Sequence, residues 1–215
     1  MRWGLVPCWA KDPAVGDRQI NARAATAADR PAFRQPFRER RCRIPADGFY
    51  EWQRQGTRKQ PSYIRLASGE PVAGAGLWDC WASPEDDPLE TCTILTTNAN
   101  DRVAPIHDRM PVILPAAAYG LGLDRTMGDA QRLQALLIPY PADAMTVYPV
   151  RLLVNNPRID TPGCIEPLPQ AGGVRRRGTA HGATAKMDTA TRPEPLRSTQ
   201  MILRGHGGGS TLSAW

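Results

Sequence analysis

The chain has 215 residues, of which 41% are hydrophobic, and it carries a formal net charge of +6. It is long enough to bury one sizeable core, and it has neither an apolar run of ~18 residues that could span a membrane nor a leader typical of secretion. Its five cysteines are odd in number and scattered without a Cys-x-x-Cys pair, which argues against a disulfide framework and predicts a soluble cytoplasmic protein.

Short apolar segments separated by turns dominate the chain as far as position 170. A basic helix is predicted over 31–41, capped by Asp29 and kinked by Pro36. The predicted strands, in chain order, are 3–7, 43–44, 49–54, 61–66, 72–81, 91–97, 110–114 and 145–150, with a helical turn over 98–103 and helices over 115–123 and 129–137. Since the strands seldom alternate one for one with helices, we predict an α+β fold with an antiparallel-rich, barrel-like β core, flanking helices and a single domain.

Composition changes near the C-terminus. Residues 171–215 are rich in Gly, Arg and Thr and contain the runs Arg175-Arg176-Arg177 and Gly207-Gly208-Gly209. With so little apolar periodicity, this segment cannot bury enough surface to offset its chain entropy. We therefore predict a folded domain over 1–170 and a disordered basic tail over 171–215.

Positive charge is concentrated in the N-terminal third of the chain. Residues 1–65 contain 14 Lys/Arg against 6 Asp/Glu, whereas residues 66–170 contain 6 against 13. Seven of these arginines fall within 21 positions: Arg23, Arg30, Arg34, Arg38, Arg40, Arg41 and Arg43. The planar guanidinium suits phosphate oxygens, so this block is a candidate nucleic-acid footprint, although a solvated basic helix would show the same charge pattern.

Glu51 lies among aromatics in Phe49-Tyr50-Glu51-Trp52. A carboxylate in apolar surroundings has a raised pKa, which suits a general acid or base. An exposed strand glutamate with aromatics on the opposite face is the alternative, because alternation puts Glu51 on the side of Phe49 rather than of Tyr50.

His107 precedes a predicted strand, and the other two histidines, His181 and His206, belong to the predicted tail. An imidazole titrates near neutral pH and suits proton transfer, although a lone histidine is often structural. We interpret Asp108 and Arg109 as a local ion pair that holds the loop.

Asn21 and Arg23 would share one side of an extended strand. The pair could bind a sugar and its phosphate, whereas the simpler interpretation of Asn21 is a turn or cap residue.

Trp3, Trp52 and Trp9 lie in or near the motifs, where an indole can stack on an unpaired base; packing in the core is the alternative. The sequence shows no metal-ligand constellation and no Gly-rich phosphate loop, so we predict neither a metal nor another cofactor.

Three motifs and an opening segment together resemble the SRAP family, the SOS-response-associated peptidases or abasic-site processing proteins. They are Trp3-Gly4-Leu5-Val6-Pro7, Gln19-Ile20-Asn21-Ala22-Arg23, Phe49-Tyr50-Glu51-Trp52 and Ile106-His107-Asp108-Arg109-Met110-Pro111. The resemblance extends from about Trp3 to about Pro169 and includes Val154-Asn155-Asn156-Pro157 and Ile165-Glu166-Pro167.

The resemblance implies a cytoplasmic protein, associated with the nucleoid when DNA is damaged, whose partner is single-stranded DNA containing abasic sites. In the family, an N-terminal cysteine is freed by self-removal of the initiator methionine and condenses with the sugar aldehyde to form a thiazolidine cross-link. The catalytic residues implied here are Asn21, Glu51 and His107, and the implied DNA-binding residues are Arg23, Trp3 and Trp52. Asn21 would orient the amine, Glu51 would shuttle protons and His107 would assist opening of the sugar ring. We expect a monomer.

The chain departs from the family at its start, because position 2 is Arg2 where the family carries the cysteine. We expect an N-terminally truncated member in which a preceding segment with the cysteine is missing, and we expect the internal Cys8 to be buried and a poor substitute. The first hypothesis is a cross-linking protein whose start codon is placed too far downstream; the second is a non-covalent single-stranded-DNA-binding module or inactive truncated paralogue. An in-frame Met-Cys-Gly upstream of Met1 would support the first hypothesis, and a nearby stop codon the second.

Overall fold

Two β-sheets form the framework of the protein in a computed structural model that describes residues 1–82, 87–127 and 129–169. The predicted tail and its boundary at 170–171 lie outside these residues. The strands are β1 (Arg2–Trp3), β2 (Asn21–Arg23), β3 (Arg41–Ala46), β4 (Phe49–Gln55), β5 (Arg58–Leu66), β6 (Val72–Trp81), β7 (Leu89–Asn98), β8 (Arg109–Pro111) and β9 (Met145–Pro149).

Short helices flank the sheets. They are α1 (Ala24–Ala27), α2 (Arg34–Glu39), α3 (Tyr119–Leu123) and α4 (Ala130–Gln134), with 3₁₀ turns at Pro13–Arg18, Ala116–Ala118, Ala142–Ala144, Leu152–Asn155 and Pro162–Cys164. In the part of the chain that the structure describes, no helix is long and apolar enough to cross a membrane.

Strand β7 lies at the centre of the larger sheet. It pairs antiparallel with β6 and β8 and parallel with β1 and β2, while β6 pairs antiparallel with β3. The smaller sheet has the order β4-β5-β9 and is antiparallel throughout. The predicted α+β class with an antiparallel-rich, curled β core in one domain is confirmed. The two parallel pairings were not predicted, since they join residues 89 positions apart (Arg2 and Thr91) and 73 positions apart (Asn21 and Ile94) and leave no local sequence signal.

The alternation of side chains along the strands creates two apolar layers. One layer lies between the sheets and includes Phe49 and Ile64 of the smaller sheet with Ile94 of the larger one. The other lies between the outer face of the larger sheet and the helices, and includes Phe37 and Leu95. Any polar side chain that shares a face with the first layer therefore points into the space between the sheets.

The predicted basic helix is shorter than expected and starts later. Helix α2 begins after Phe33, whose side chain makes no capping hydrogen bond, so the prediction of Asp29 as the cap was wrong. Pro36 lies in the first turn of the helix, where its missing N–H has no intrahelical role, and it therefore does not act as the predicted interior kink.

Arg41 joins helices α2 and α3 to the sheet. Its guanidinium donates to five backbone carbonyls, those of Phe37 (2.7 Å), Arg38 (2.5 Å), Gly122 (2.8 Å), Met127 (3.5 Å) and Asp124. Burial lowers the pKa of Arg41, and the nearby Asp124 raises it. Arg41 is thus committed to the ends of two short helices, where the last carbonyls have no intrahelical partner.

Arg41→Ala is expected to lower the free energy of unfolding by about 2–4 kcal/mol, because it leaves several carbonyls without their charged donor. The measurement is urea denaturation followed by circular dichroism. Arg38→Ala is the matched control, since Arg38 is exposed on the same helix, and it should change stability by less than ~0.5 kcal/mol. Equal effects of the two substitutions would contradict the anchoring role.

Candidate functional site

Asn21 and Glu51 both point toward the space between the two sheets. Asn21 pairs in register with Ile94, so their side chains share a face, and Ile94 belongs to the inner apolar layer together with Phe49. Glu51 follows Phe49 by two positions on β4 and therefore also points inward. The two predicted catalytic side chains thus come from different sheets and are directed toward one interior space.

Both inward-facing groups are withdrawn from solvent. Glu51 is only 1% exposed, and Ser62, its register partner on β5, is also buried. Asn21 is partly buried, and its Oδ1 atom is buried without a hydrogen-bond donor among the described residues. A buried acceptor without a donor costs stability, so such an atom is a place to look for a ligand's N–H or O–H group.

His107 ends a helical turn that precedes β8. The backbone N–H of Arg109 donates to His107 Nδ1 at 3.0 Å. The Arg109 carbonyl oxygen (3.2 Å) and Asp108 Oδ1 (3.3 Å) also lie close to Nδ1, so this ring nitrogen is engaged within its own loop whichever tautomer the imidazole adopts. Gln53, two residues after Glu51, donates from Nε2 to the carbonyl of Pro105 at 3.1 Å, so the segment leading to His107 is held against the strand of Glu51.

Arg23 and Arg109 lie together at one end of β7. Arg23 pairs in register with Thr96, and Arg109 donates to the Thr96 hydroxyl at 3.2 Å and to Asn98 Oδ1 at 2.8 Å. Burial lowers the pKa of Arg109, and the positive charge of Arg23 lowers it further. Among the described residues nothing accepts from the buried Arg109 Nε. Two cations in such proximity favour an anion, and a phosphate group fits that requirement.

Sequence reasoning missed this use of Arg109, which we had interpreted as a loop ion pair with Asp108. Asp108 is exposed, and its Oδ1 lies 3.3 Å from His107 Nδ1. The guanidinium of Arg109 hydrogen-bonds to β7 instead of to that carboxylate. The sequence did contain one indication that Arg109 could lie on the same side as His107: the two residues are two positions apart, and such residues share a side on an extended chain.

The seven-arginine block divides into structural and exposed members. Arg40 lies 3.2 Å from the buried Asp79, Arg41 binds helix carbonyls, and Arg43 stacks 4.3 Å from the centre of the Tyr119 ring. The exposed members are Arg23, Arg30, Arg34 and Arg38. The candidate footprint is therefore smaller than the sequence pattern indicates, and Arg23 is its member nearest to Asn21.

The tryptophans near the motifs occupy three different environments. Trp3 packs against the inner layer and donates from Nε1 to the Ile20 carbonyl at 2.7 Å. Trp52 lies on the face of β4 opposite to Glu51, packs near Tyr50, and donates to Asn155 Oδ1 at 2.8 Å. Trp9 is 63% exposed. Of the three rings, that of Trp9 is the most accessible to a stacking base.

The cysteines differ in accessibility. Burial raises the pKa of the Cys42 thiol to about 12 and that of Cys92 to about 11, so neither is a thiolate at neutral pH. Cys8 is exposed, and the prediction that it is buried was wrong; its backbone N–H donates to Asp79 Oδ2 at 3.0 Å while its side chain faces solvent. Within the described ranges no group of His, Cys, Asp and Glu side chains could hold a metal ion.

Comparison with known proteins places the chain in a family. Residues 1–157 match the model of the SOS response associated peptidase (SRAP) family. The chain is 48% identical over 167 residues to the abasic site processing protein YoqW of Bacillus subtilis, covering 77% of this chain and 75% of that protein. It is 34% identical to the abasic site processing protein HMCES of Xenopus tropicalis, covering 86% of this chain and 61% of that one.

Solved structures agree with this likeness. A crystal structure of a protein from Bacteroides thetaiotaomicron superposes with a TM-score of 0.72 at 29% identity, covering 77% of this chain and 75% of that chain. A protein from Bordetella bronchiseptica has a TM-score of 0.61 at 32% identity, with 70% and 76% covered. The chain belongs to the SRAP family, as its motifs predicted.

Proposed function

We propose that this protein processes abasic sites in single-stranded DNA, with the space between the two sheets receiving the exposed sugar. The observation that carries the proposal is the pairing of an inward carboxamide and an inward carboxylate, Asn21 and Glu51, beside the cationic pair Arg23 and Arg109. An abasic sugar attached to phosphate requires both features, namely polar partners for a small carbonyl compound and cations for its backbone. The names of the relatives agree with this substrate.

The catalytic roles follow from the chemistry of the three side chains. His107 donates from Nε2 to the sugar ring oxygen as the ring opens to the aldehyde. Glu51 transfers protons to and from the oxygen of the aldehyde, and Asn21 Oδ1 accepts a hydrogen bond from an N–H of the attacking amine. Each role needs hydrogen-bond reach to the same sugar, either directly or through one water.

The covalent step that we propose for the family chemistry requires an N-terminal cysteine. The α-amine attacks the aldehyde and water leaves to give an imine; the thiol then adds to the imine carbon, its proton passes to nitrogen, and a thiazolidine ring closes. Self-removal of a leading methionine, a peptidase-type hydrolysis, would expose such a cysteine. In the 215-residue sequence position 2 is Arg2, so this step applies to a chain that carries the cysteine.

A non-covalent single-stranded-DNA-binding module is the second candidate function. It is favoured by the exposed Trp9 and the exposed arginines, which can stack on bases and bind phosphates without any nucleophile. Both candidates share the same DNA-binding surface and differ only in the cross-link. A monomer remains our expectation for either one.

Binding to single-stranded DNA should weaken steeply with salt, because each contact between a cation and a phosphate releases counterions. Arg23→Ala is expected to lower affinity and to reduce the slope of log K against log salt by about 0.7, the value for one phosphate on a single strand. The measurement is fluorescence anisotropy with a labelled oligonucleotide at several salt concentrations.

Two controls accompany this titration. Arg125→Ala removes an exposed arginine far along the chain from the site segments and should leave the slope unchanged. Deleting residues 171–215 should have a smaller effect on affinity than Arg23→Ala. An unchanged slope for Arg23→Ala, or loss of all binding on deleting the tail, would contradict the assignment of the DNA-binding surface.

A further inference from the structure

One hydrogen bond connects the segments that carry Glu51 and His107. Gln53 lies two residues after Glu51 on the same face of β4, and Pro105 lies two residues before His107. Gln53 Nε2 donates to the Pro105 carbonyl at 3.1 Å. Strand β4 belongs to the three-stranded sheet and β8, which follows His107, to the six-stranded sheet. The bond therefore links a strand of the smaller sheet to the turn that leads into a strand of the larger sheet.

The turn before His107 is fixed at its beginning and is exposed toward its end. Asn100 Oδ1 accepts from the N–H of Val103 at 3.0 Å, and its Nδ2 donates to the Tyr140 carbonyl at 2.7 Å. The Val103 side chain is fully buried, whereas Pro105 is exposed. The hydrogen bond from Gln53 reaches the turn at this exposed end, directly before the catalytic imidazole.

The orientation of the Gln53 amide is itself supported. Gln55 Nε2 donates to Gln53 Oε1 at 3.1 Å, which leaves the Gln53 NH₂ group directed toward Pro105. The amide thus accepts at Oε1 and donates at Nε2, and because the contact with Gln55 is exposed, water can replace Gln55 as the donor to Oε1.

We propose that Gln53 is a positioning residue, whose hydrogen bond to Pro105 sets the place of His107 relative to Glu51. The proposal rests on the proposed function, since it concerns the separation of two groups that act on one sugar. Proton transfer tolerates little misplacement, so a bond that fixes two catalytic segments to each other affects reaction and recognition more than overall stability.

The test replaces Gln53 by a side chain of similar length without a donor. In Gln53→Met the bond to Pro105 is lost, whereas the control Gln55→Met removes the neighbouring bond and leaves the donor in place. Two quantities are measured on the full chain: hydrogen exchange of the Ile106 and His107 amides, which both donate to Val103, and the ratio of affinities for abasic and intact single-stranded oligonucleotides.

For Gln53→Met we expect exchange of these two amides to accelerate by about 3- to 10-fold, the effect of one ordinary hydrogen bond, and the affinity ratio to fall by a similar factor. Affinity for the intact oligonucleotide and the melting temperature should match those of Gln55→Met. A purely structural role would instead lower both affinities together.

Three results would contradict the positioning role of Gln53. Unchanged exchange relative to Gln55→Met would show that the bond does not hold the turn. Faster exchange with an unchanged affinity ratio would show that it does not position His107 for the sugar. If the wild-type chain itself shows no preference for abasic DNA, the proposed function fails and the positioning role with it, while the exchange result still decides whether Gln53 fixes the turn.

Discussion

The 215-residue chain is expected to give no heat-stable adduct with an abasic oligonucleotide, whereas a longer chain with a leading Met-Cys segment should give one. The amine of Met1, or of Arg2 after processing, can form only an imine, which hydrolyses on denaturation. A thiazolidine needs a thiol and an amine on adjacent carbons of one residue, a requirement that an N-terminal cysteine alone fulfils. The measurement is a denaturing gel with abasic single-stranded DNA after heating.

The role of Glu51 is tested in the same longer chain. Glu51→Ala should slow formation or reversal of the adduct by about 10²- to 10⁴-fold, the usual contribution of a general acid or base.

Cys8→Ser is the control for the 215-residue chain, because Cys8 is its exposed cysteine among the described residues. A heat-stable band that survives Cys8→Ser would contradict the proposed chemistry, and one that Cys8→Ser abolishes would identify Cys8 as the nucleophile.

Asn21→Leu should stabilise the fold and at the same time weaken the preference for abasic DNA. The buried Oδ1 atom of Asn21 lacks a donor within the described residues, and replacing such a group with an apolar one gains about 1–2 kcal/mol. The same atom is our proposed acceptor for the reacting amine or sugar, so its loss should reduce the ratio of abasic to intact affinities by about 3-fold, the worth of roughly 0.7 kcal/mol. Thermal melting and competition binding measure the two effects.

Thr93→Val is the matched control for Asn21→Leu. Thr93 is fully buried, and its hydroxyl oxygen likewise has no partner among the described residues. It lies on β7 next to Ile94 and so faces the other side of the sheet from Asn21. We expect Thr93→Val to stabilise the protein without changing DNA affinity. A loss of preference in Thr93→Val equal to that in Asn21→Leu would remove Asn21 from its proposed role.

The strands that the sequence predicted well are those with strong local signals. The predicted range 72–81 coincides with β6, and the predicted strands 49–54 and 61–66 lie within β4 and β5, which a turn at Gly56 (φ +60°) separates. Strand β2 has only three residues and exists because it pairs with β7, so propensity alone does not reveal it. Its pairing is what turns Asn21 toward Glu51.

The site was predictable from motifs only in part. The motifs identified Asn21 and Glu51, and alternation along β4 foretold that Glu51 and Trp52 point to opposite faces. The sequence could not show that Arg40, Arg41 and Arg43 are committed to structural contacts, because their partners lie tens of residues away. A count of charges therefore overestimated the number of arginines between positions 40 and 43 that are available to DNA, and it did not single out Arg109.

The most direct test of the proposed function is the affinity of the 215-residue chain for two oligonucleotides that differ only in one base. Competition anisotropy at moderate salt compares a single strand with one abasic site against the intact strand. We predict about 10-fold tighter binding of the abasic strand, because the sugar without its base gains hydrogen bonds to Asn21, Glu51 and His107 worth about 1–2 kcal/mol. Equal affinities for the two strands would contradict the assignment of the space between the sheets as the abasic-site pocket.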